Sequence, residues 1–200
     1  MKLKHLFIFL ISFSLVFITI LGTFRFTAFD LGDTETTNNL EDFLKNKKAG
    51  SELIEEFAEE EQEHLFEVRA VMHTLFGLLN FAVIIYMISM FSLFFIEKKE
   101  FVLNLGRSLF YGGIASLSTV FVFFITSLFF NKTFIIFHKL FFRTQWQFPA
   151  DHLLIQLFPI QFFISKFAKI LLISFIISLL VGTAGFLIKE KYINKKKIKR

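Results

Sequence analysis

SLFYGGIASLSTVFVFFITSLFF, residues 108–130, runs for 23 residues without a charged side chain. Wound as a helix rising about 1.5 Å per residue, it reaches about 35 Å, enough to cross a hydrocarbon core about 30 Å thick. Outward from it lie three comparable apolar runs, 6–23, 71–96 and 167–188. The chain as a whole is 54% hydrophobic with 33 Phe and a mean hydropathy of +0.62. A soluble domain holds about 45–50% apolar residues, so the excess belongs against lipid. The expected fold class is an all-α membrane protein with four transmembrane helices and two extracytoplasmic segments, partly interfacial helices.

The first run could serve as a cleaved secretory segment, because Lys2 and Lys4 precede it. No small-x-small cleavage pattern follows; the chain continues GTFRFTAFD (22–30), so a retained first span is expected. Cysteine is absent, which removes disulfides, thiolate metal sites and thiol nucleophiles together.

Basic residues at span ends set the orientation of the chain. Lys2 and Lys4 precede the first run, Lys98, Lys99 and Arg107 fall in the 97–107 link, and the tail 189–200 carries seven more. Four crossings put all three groups on one side, so both termini are expected in the cytoplasm. The segments 24–70 and 131–166 then face outward. Positions 25–70 hold thirteen acidic against five basic residues, an asymmetry hidden by the chain's net charge of +5. The high pI therefore reflects a juxtamembrane tail, and no nucleic-acid partner is expected.

The first outer segment begins as polar loop, with at most a short helix over 40–47. From Ser51, read as an N-cap, one helix is expected to run without interruption into the second span. Seven Glu crowd residues 55–67 around His64. Glu61 and Glu67 stand three residues to either side of it and share its helical face. A carboxylate there would orient the imidazole, although a solvated histidine in a Glu-rich helix would look the same. His73, half a turn round the helix, is expected to pack or meet a headgroup. The second segment, NKTFIIFHKLFFRTQWQFPADHLLIQLFPIQFFISK (131–166), is apolar and aromatic but broken by Pro149 and Pro159. Short interfacial pieces fit it, with Trp146 at headgroup depth. His138, set in FIIFHKLFF, is costly beside lipid without a partner or a task. His64 lies seven residues before one span and His138 eight after another, so both belong at the same boundary.

These residues form a recognisable pattern. Phe57, Glu61, His64, Val68 and Arg69 follow F-x3-E-x2-H-x3-V-[KR]. The second segment supplies Phe137-His138-x2-Phe141-Phe142, then Trp146-x-Phe148, then Leu154-Ile155-x-Leu157-Phe158-Pro159-x2-Phe162-Phe163. Together they resemble the lipoprotein intramolecular transacylase family of small four-span bacterial membrane proteins. The resemblance implies a diacylglyceryl lipoprotein as substrate and a phospholipid bilayer as its setting. The acyl chain would move from the glycerol sn-2 ester to the N-terminal cysteine α-amine, giving a lyso-form lipoprotein. It also implies that His64 and His138 are catalytic and that the site lies at the outer leaflet. Under this reading His64 is the general base, oriented by Glu61 or Glu67, and His138 stabilises the oxyanion, with the roles exchangeable. Arg69, Arg143 and Trp146 would bind or orient substrate, and residues 134–163 would receive acyl chains. No cofactor and no metal are expected. Two other readings make different predictions: metal-dependent hydrolysis through His64, His138 and His152, and a non-catalytic accessory or lipid-binding protein.

Overall fold

The structure, a computed structural model, describes residues 3–198. Lys2, Lys199 and Arg200, used above for orientation, lie outside the described residues. Seven α-helices and one short 3₁₀ turn make up the described chain, with no strand among those residues: α1 Leu3–Ala28, α2 Glu35–Lys45, the 3₁₀ turn Ser51–Ile54, α3 Glu59–Ile96, α4 Phe101–Ser127, α5 Phe130–Phe141, α6 Leu153–Leu157 and α7 Ile160–Ile198. Four of them, α1, α3, α4 and α7, are long and apolar enough to cross a membrane, with mean hydropathies of 2.5, 2.2, 1.8 and 2.5. This is an all-helical, multi-pass membrane protein.

The described chain forms two compact units, and each long helix contributes to both. The first unit takes residues up to 24, 78–124 and from 170 onward. Ile8, Ile11 and Leu15 of α1 bury against Leu93 of α3, with Tyr86, Leu109 and Val181 packed round them. Lipid tails are as apolar as these side chains, so close approach of backbones must supply much of the association. Small residues permit it. A Cβ built on Gly113 of α4 would stand 2.4 Å from the Cα of Gly182 on α7, and one on Gly185 would stand 2.3 Å from the Phe110 nitrogen. Ser12 joins α1 to α4 by donating to the Ser108 carbonyl at 2.9 Å. In this unit Glu100 meets Lys4 at 3.9 Å and Lys196 at 3.2 Å.

The second unit takes residues 25–77 and 125–169. Here the long uninterrupted helix expected from Ser51 is corrected. Ser51–Ile54 is a 3₁₀ turn, and α3 starts only at Glu59. The break is stabilised locally: the Glu61 carboxylate reaches back to the Ala58 N–H at 2.9 Å, and the Gln62 amide donates to the Phe57 carbonyl at 2.8 Å. Glu61 therefore acts as the N3 half of a capping box around an alanine N-cap, which a search for Ser or Thr overlooks. The expected loop before residue 40 is also partly helical. Thr34 accepts from the Thr37 N–H at 3.2 Å and its own N–H donates to Thr37 Oγ1 at 3.0 Å, starting α2 at Glu35. Its buried stripe of Thr37, Leu40, Phe43 and Leu44 pays for that ordering.

The apolar runs also understate helix length. α4 begins at Phe101 rather than Ser108, so the expected 97–107 link shrinks to a turn at 97–100, and α7 extends from Ile160 through Ile198. Hydropathy marks where lipid is met, whereas the helical ladder continues until a breaker such as Pro159 stops it. Near the start of α7, Lys166 and Lys169 converge on the Asp30 carboxylate at 3.0 and 3.1 Å.

Candidate active site

α3 and α5 each present one histidine to the same place. On α3, His64 follows Glu61 by three residues and is only 5% exposed. On α5, His138 is 8% exposed. Their ring centroids are 6.0 Å apart with the planes 21° from parallel. Phe142 stands against both, 4.7 Å from the His64 ring and 5.0 Å from that of His138. Phe148 approaches His64 at 5.8 Å, while Phe134 and Trp146 lie over His138 at 4.0 and 4.9 Å. The two imidazoles thus share an aromatic box.

The two rings differ in how they are held. His138 Nδ1 lies 2.8 Å from the Phe134 carbonyl oxygen, one turn back in α5. A carbonyl only accepts, so Nδ1 carries the proton and the neutral ring leaves Nε2 as a bare acceptor. Burial holds this imidazole below its ordinary pKa, with the bond to Phe134 opposing. His64 Nδ1 is buried and has no hydrogen-bond partner. The arrangement therefore offers one nitrogen ready to take a proton beside a second ring whose N–H is not committed to Phe134-type backbone support.

The carboxylates expected to orient His64 are engaged elsewhere. Glu67 accepts from the Arg143 N–H at 3.0 Å, the Thr144 N–H at 3.1 Å and the Thr144 hydroxyl at 2.8 Å. Glu61, 1% exposed, accepts from the Ala58 and Leu154 N–H groups and lies 3.5 Å from His152 Nδ1. Both tie the second aromatic segment to α3. Arg69 is likewise turned to its own chain: it donates to the Asn46 and Ala49 carbonyls at 3.2 and 2.7 Å and lies over the Phe43 ring at 4.1 Å. The Arg143 side chain is exposed, and Trp146 packs on His138. His73 stands outside this group, edge-on to Phe76 at 6.1 Å. Thr144 was not anticipated as a site residue, and His152 entered only as a possible metal ligand; their part here depends on contacts 77 and 91 positions away in sequence, which spacing along a helix cannot reveal. Among the described residues no group of three or more His, Cys, Asp or Glu side chains could hold a metal ion.

The family described as lipoprotein intramolecular transacylase Lit matches residues 2–163, most of the chain. The chain belongs to the lipoprotein intramolecular transacylase family. Lit from Bacillus cereus, solved in meso as a membrane-integral protein, superimposes with a TM-score of 0.75 at 19% identity over 98% of each chain. A form of that Lit with a His-to-Arg substitution gives a TM-score of 0.74 at 17% identity, covering 98% of this chain and 95% of the other. A His-to-Ala form gives 0.68 at 19%, covering 98% and 96%. No curated protein matches the chain. Membership of the Lit family makes this a membrane-integral acyltransferase, acting by intramolecular acyl transfer on lipoproteins.

Proposed function

We propose that this chain moves the sn-2 acyl group of a diacylglyceryl lipoprotein to the substrate's own N-terminal cysteine α-amine, using His64 and His138 as its catalytic residues. The observation that carries the reading is the pair of buried imidazoles 6.0 Å apart, one with its tautomer fixed by the Phe134 carbonyl. The nucleophile is an amine largely protonated near neutral pH, with a pKa of about 8, so its neutral fraction must be captured and its proton removed.

The amine nitrogen attacks the ester carbonyl carbon, and the C=O electron pair moves onto oxygen. His138 Nε2 takes the proton released from nitrogen. The His64 N–H donates to the oxyanion. When the tetrahedral species collapses, the carbon–oxygen bond to the glycerol sn-2 position breaks, and the imidazolium of His138 returns its proton to that oxygen. The products are an amide and a free sn-2 hydroxyl. This exchanges the roles first assigned to the two histidines, because only His138 has a fixed acceptor nitrogen. Holding amine and ester within one bound molecule removes the entropic cost of bringing them together. Orientation with both termini in the cytoplasm and the site at the outer leaflet suits a lipid-anchored substrate, and the exposed Ile136, Leu140 and Phe141 of α5 suit contact with acyl chains.

The test is mass spectrometry of a tagged lipoprotein made with and without this chain. The expected N-terminal peptide is N-acylated and lyso-glyceryl; a diacylglyceryl peptide with a free amine would refute the proposal. His64→Ala and His138→Ala should each abolish conversion while still inserting, and full activity in either removes that residue from the mechanism.

A further inference from the structure

Glu61 and His152 occupy a closed circuit of contacts that passes through His64. Glu61 is buried on α3 and accepts the N–H of Leu154, the second residue of α6, at 2.8 Å. His152, immediately before α6, brings Nδ1 to 3.5 Å from the same carboxylate oxygen. The His152 ring stacks on Phe148, centroids 5.5 Å apart and planes 23° from parallel. Phe148 in turn meets the His64 ring at 5.8 Å. His64 then returns to Glu61 through a single turn of α3. Apart from that backbone turn, the links are polar contacts to one carboxylate or aromatic contacts leading to His64.

His64 needs such support, because its buried Nδ1 has no polar partner and its orientation rests on the surrounding rings. Phe142 is already fixed at the end of α5, where its N–H donates to the His138 carbonyl at 2.9 Å. Phe148 belongs to a stretch, Gln145 to Pro149, that is neither helix nor strand, followed by a turn in which the His152 N–H donates to the Pro149 carbonyl at 3.1 Å. Its place against His64 is therefore set by whatever fixes 148–154. The Pro149–His152 turn and the Gln156 amide on the Asp151 carbonyl hold the stretch to itself. Glu61 and His152 join it to α3: one takes the backbone of Leu154, and the other couples that carboxylate to the Phe148 ring.

We propose that His152 is a positioning residue for the acyl transfer, holding Phe148 against His64 through its contacts with Glu61 and the Phe148 ring. The proposal rests on His64 being catalytic, as argued above. His152 touches no reacting atom, so its loss should lower kcat and leave KM for the lipoprotein unchanged. The two contacts are separable by substitution. His152→Phe keeps a ring to stack on Phe148 but removes the nitrogen facing Glu61. His152→Asn keeps a nitrogen the same two bonds from Cβ as Nδ1 but gives up the stack. His152→Ala removes both.

The experiment measures kcat and KM for a synthetic diacylglyceryl lipopeptide with the purified full chain in detergent, beside His64→Ala. A misplaced catalytic group can cost on the order of 100-fold. The expected result is a kcat loss of about 100-fold for His152→Ala and about tenfold for each single-contact variant, all at unchanged KM. Trp146, the one Trp of the chain, provides a second readout in the same stretch. Its emission should shift to the red and quench more readily by acrylamide in His152→Ala, and revert in part in His152→Asn. Wild-type kcat in His152→Ala overturns the proposal, as does a loss confined to KM. Should His152→Ala fail to accumulate, His152→Asn and His152→Phe carry the test by the same kcat criterion. If His64→Ala also retained full activity, the catalytic assignment itself would fall, an outcome distinct from failure of the His152 variants alone.

Discussion

Glu67 can be judged by three substitutions that separate tether from charge. Its carboxylate holds three donors on the Arg143–Thr144 turn, with one oxygen taking both Thr144 bonds at 2.8 and 3.1 Å and the Arg143 N–H at 3.0 Å. A hydrogen bond to a charged group contributes about 1.5–3 kcal/mol when buried, but Glu67 is half-exposed and the released donors can find water. About 2 kcal/mol for the set is therefore reasonable, and Glu67→Ala should lower kcat/KM about 30-fold if docking of this turn limits the active population. Glu67→Gln can keep its carbonyl oxygen where both Thr144 donors meet it, and should cost about threefold. Glu67→Asp keeps the charge but is one methylene short, about 1.5 Å, so all three bonds fail together and the loss should match that of alanine. The assay is conversion of diacylglyceryl lipopeptide by purified variants, followed by mass spectrometry. A role in orienting or charging His64 would reverse the order, with Asp mild and Gln severe. That reversal would refute the tether.

Other expectations follow from the same geometry. Gly113→Leu should prevent α4 and α7 from closing, because the new Cβ would meet Gly182 backbone at 2.4 Å; the readout is loss of a monodisperse, thermally cooperative species in detergent. Gly182→Ala meets nothing nearer than 3.6 Å and should shift stability by less than about 1 kcal/mol, so severe destabilisation there would contradict the packing. For pH, log kcat/KM should rise with unit slope up to about pH 7.7, where the substrate amine deprotonates. Because burial lowers the His138 pKa from 6.5, the base stays competent as pH falls to that value, and the second, steeper limb should begin only below pH 6.5. A second break above 6.5 would place a different group in the role.

Much of the fold was legible from composition because the bilayer imposes one choice. Four long apolar runs with no water to satisfy their backbones must be helices, and the uncharged run at 108–130 needed no further argument. The ends were less legible: α4 starts seven residues before its apolar run, because Asn104 and Arg107 interrupt the apolar pattern without breaking the helix, and burial of Leu103, Asn104 and Gly106 outweighs weak local propensity. The break at 55–58 was hidden for a different reason, because its capping group, Glu61, sits inside the helix it starts. At the site, spacing brought His64 and His138 to one boundary, and the aromatic pattern singled them out. Helical spacing also suggested that Glu61 and Glu67 serve His64. Sharing a face gave them access to it, yet backbone N–H groups of 143–154 compete for those oxygens, and only tertiary structure brings them there.

The bond from His138 to Phe134 has an implication for how such a site tolerates change. The acceptor is a main-chain oxygen in the same helical turn, so no side-chain replacement at position 134 deletes it, short of one that unwinds α5. A partner built from a distant carboxylate can be lost by a single codon change; this one is inherited with the helix. Which nitrogen of the neutral imidazole carries its proton is thus set as soon as α5 winds, before substrate arrives. Sequence drift can then rework the acidic surroundings of the pair while the ring proposed to take the proton keeps the same nitrogen free.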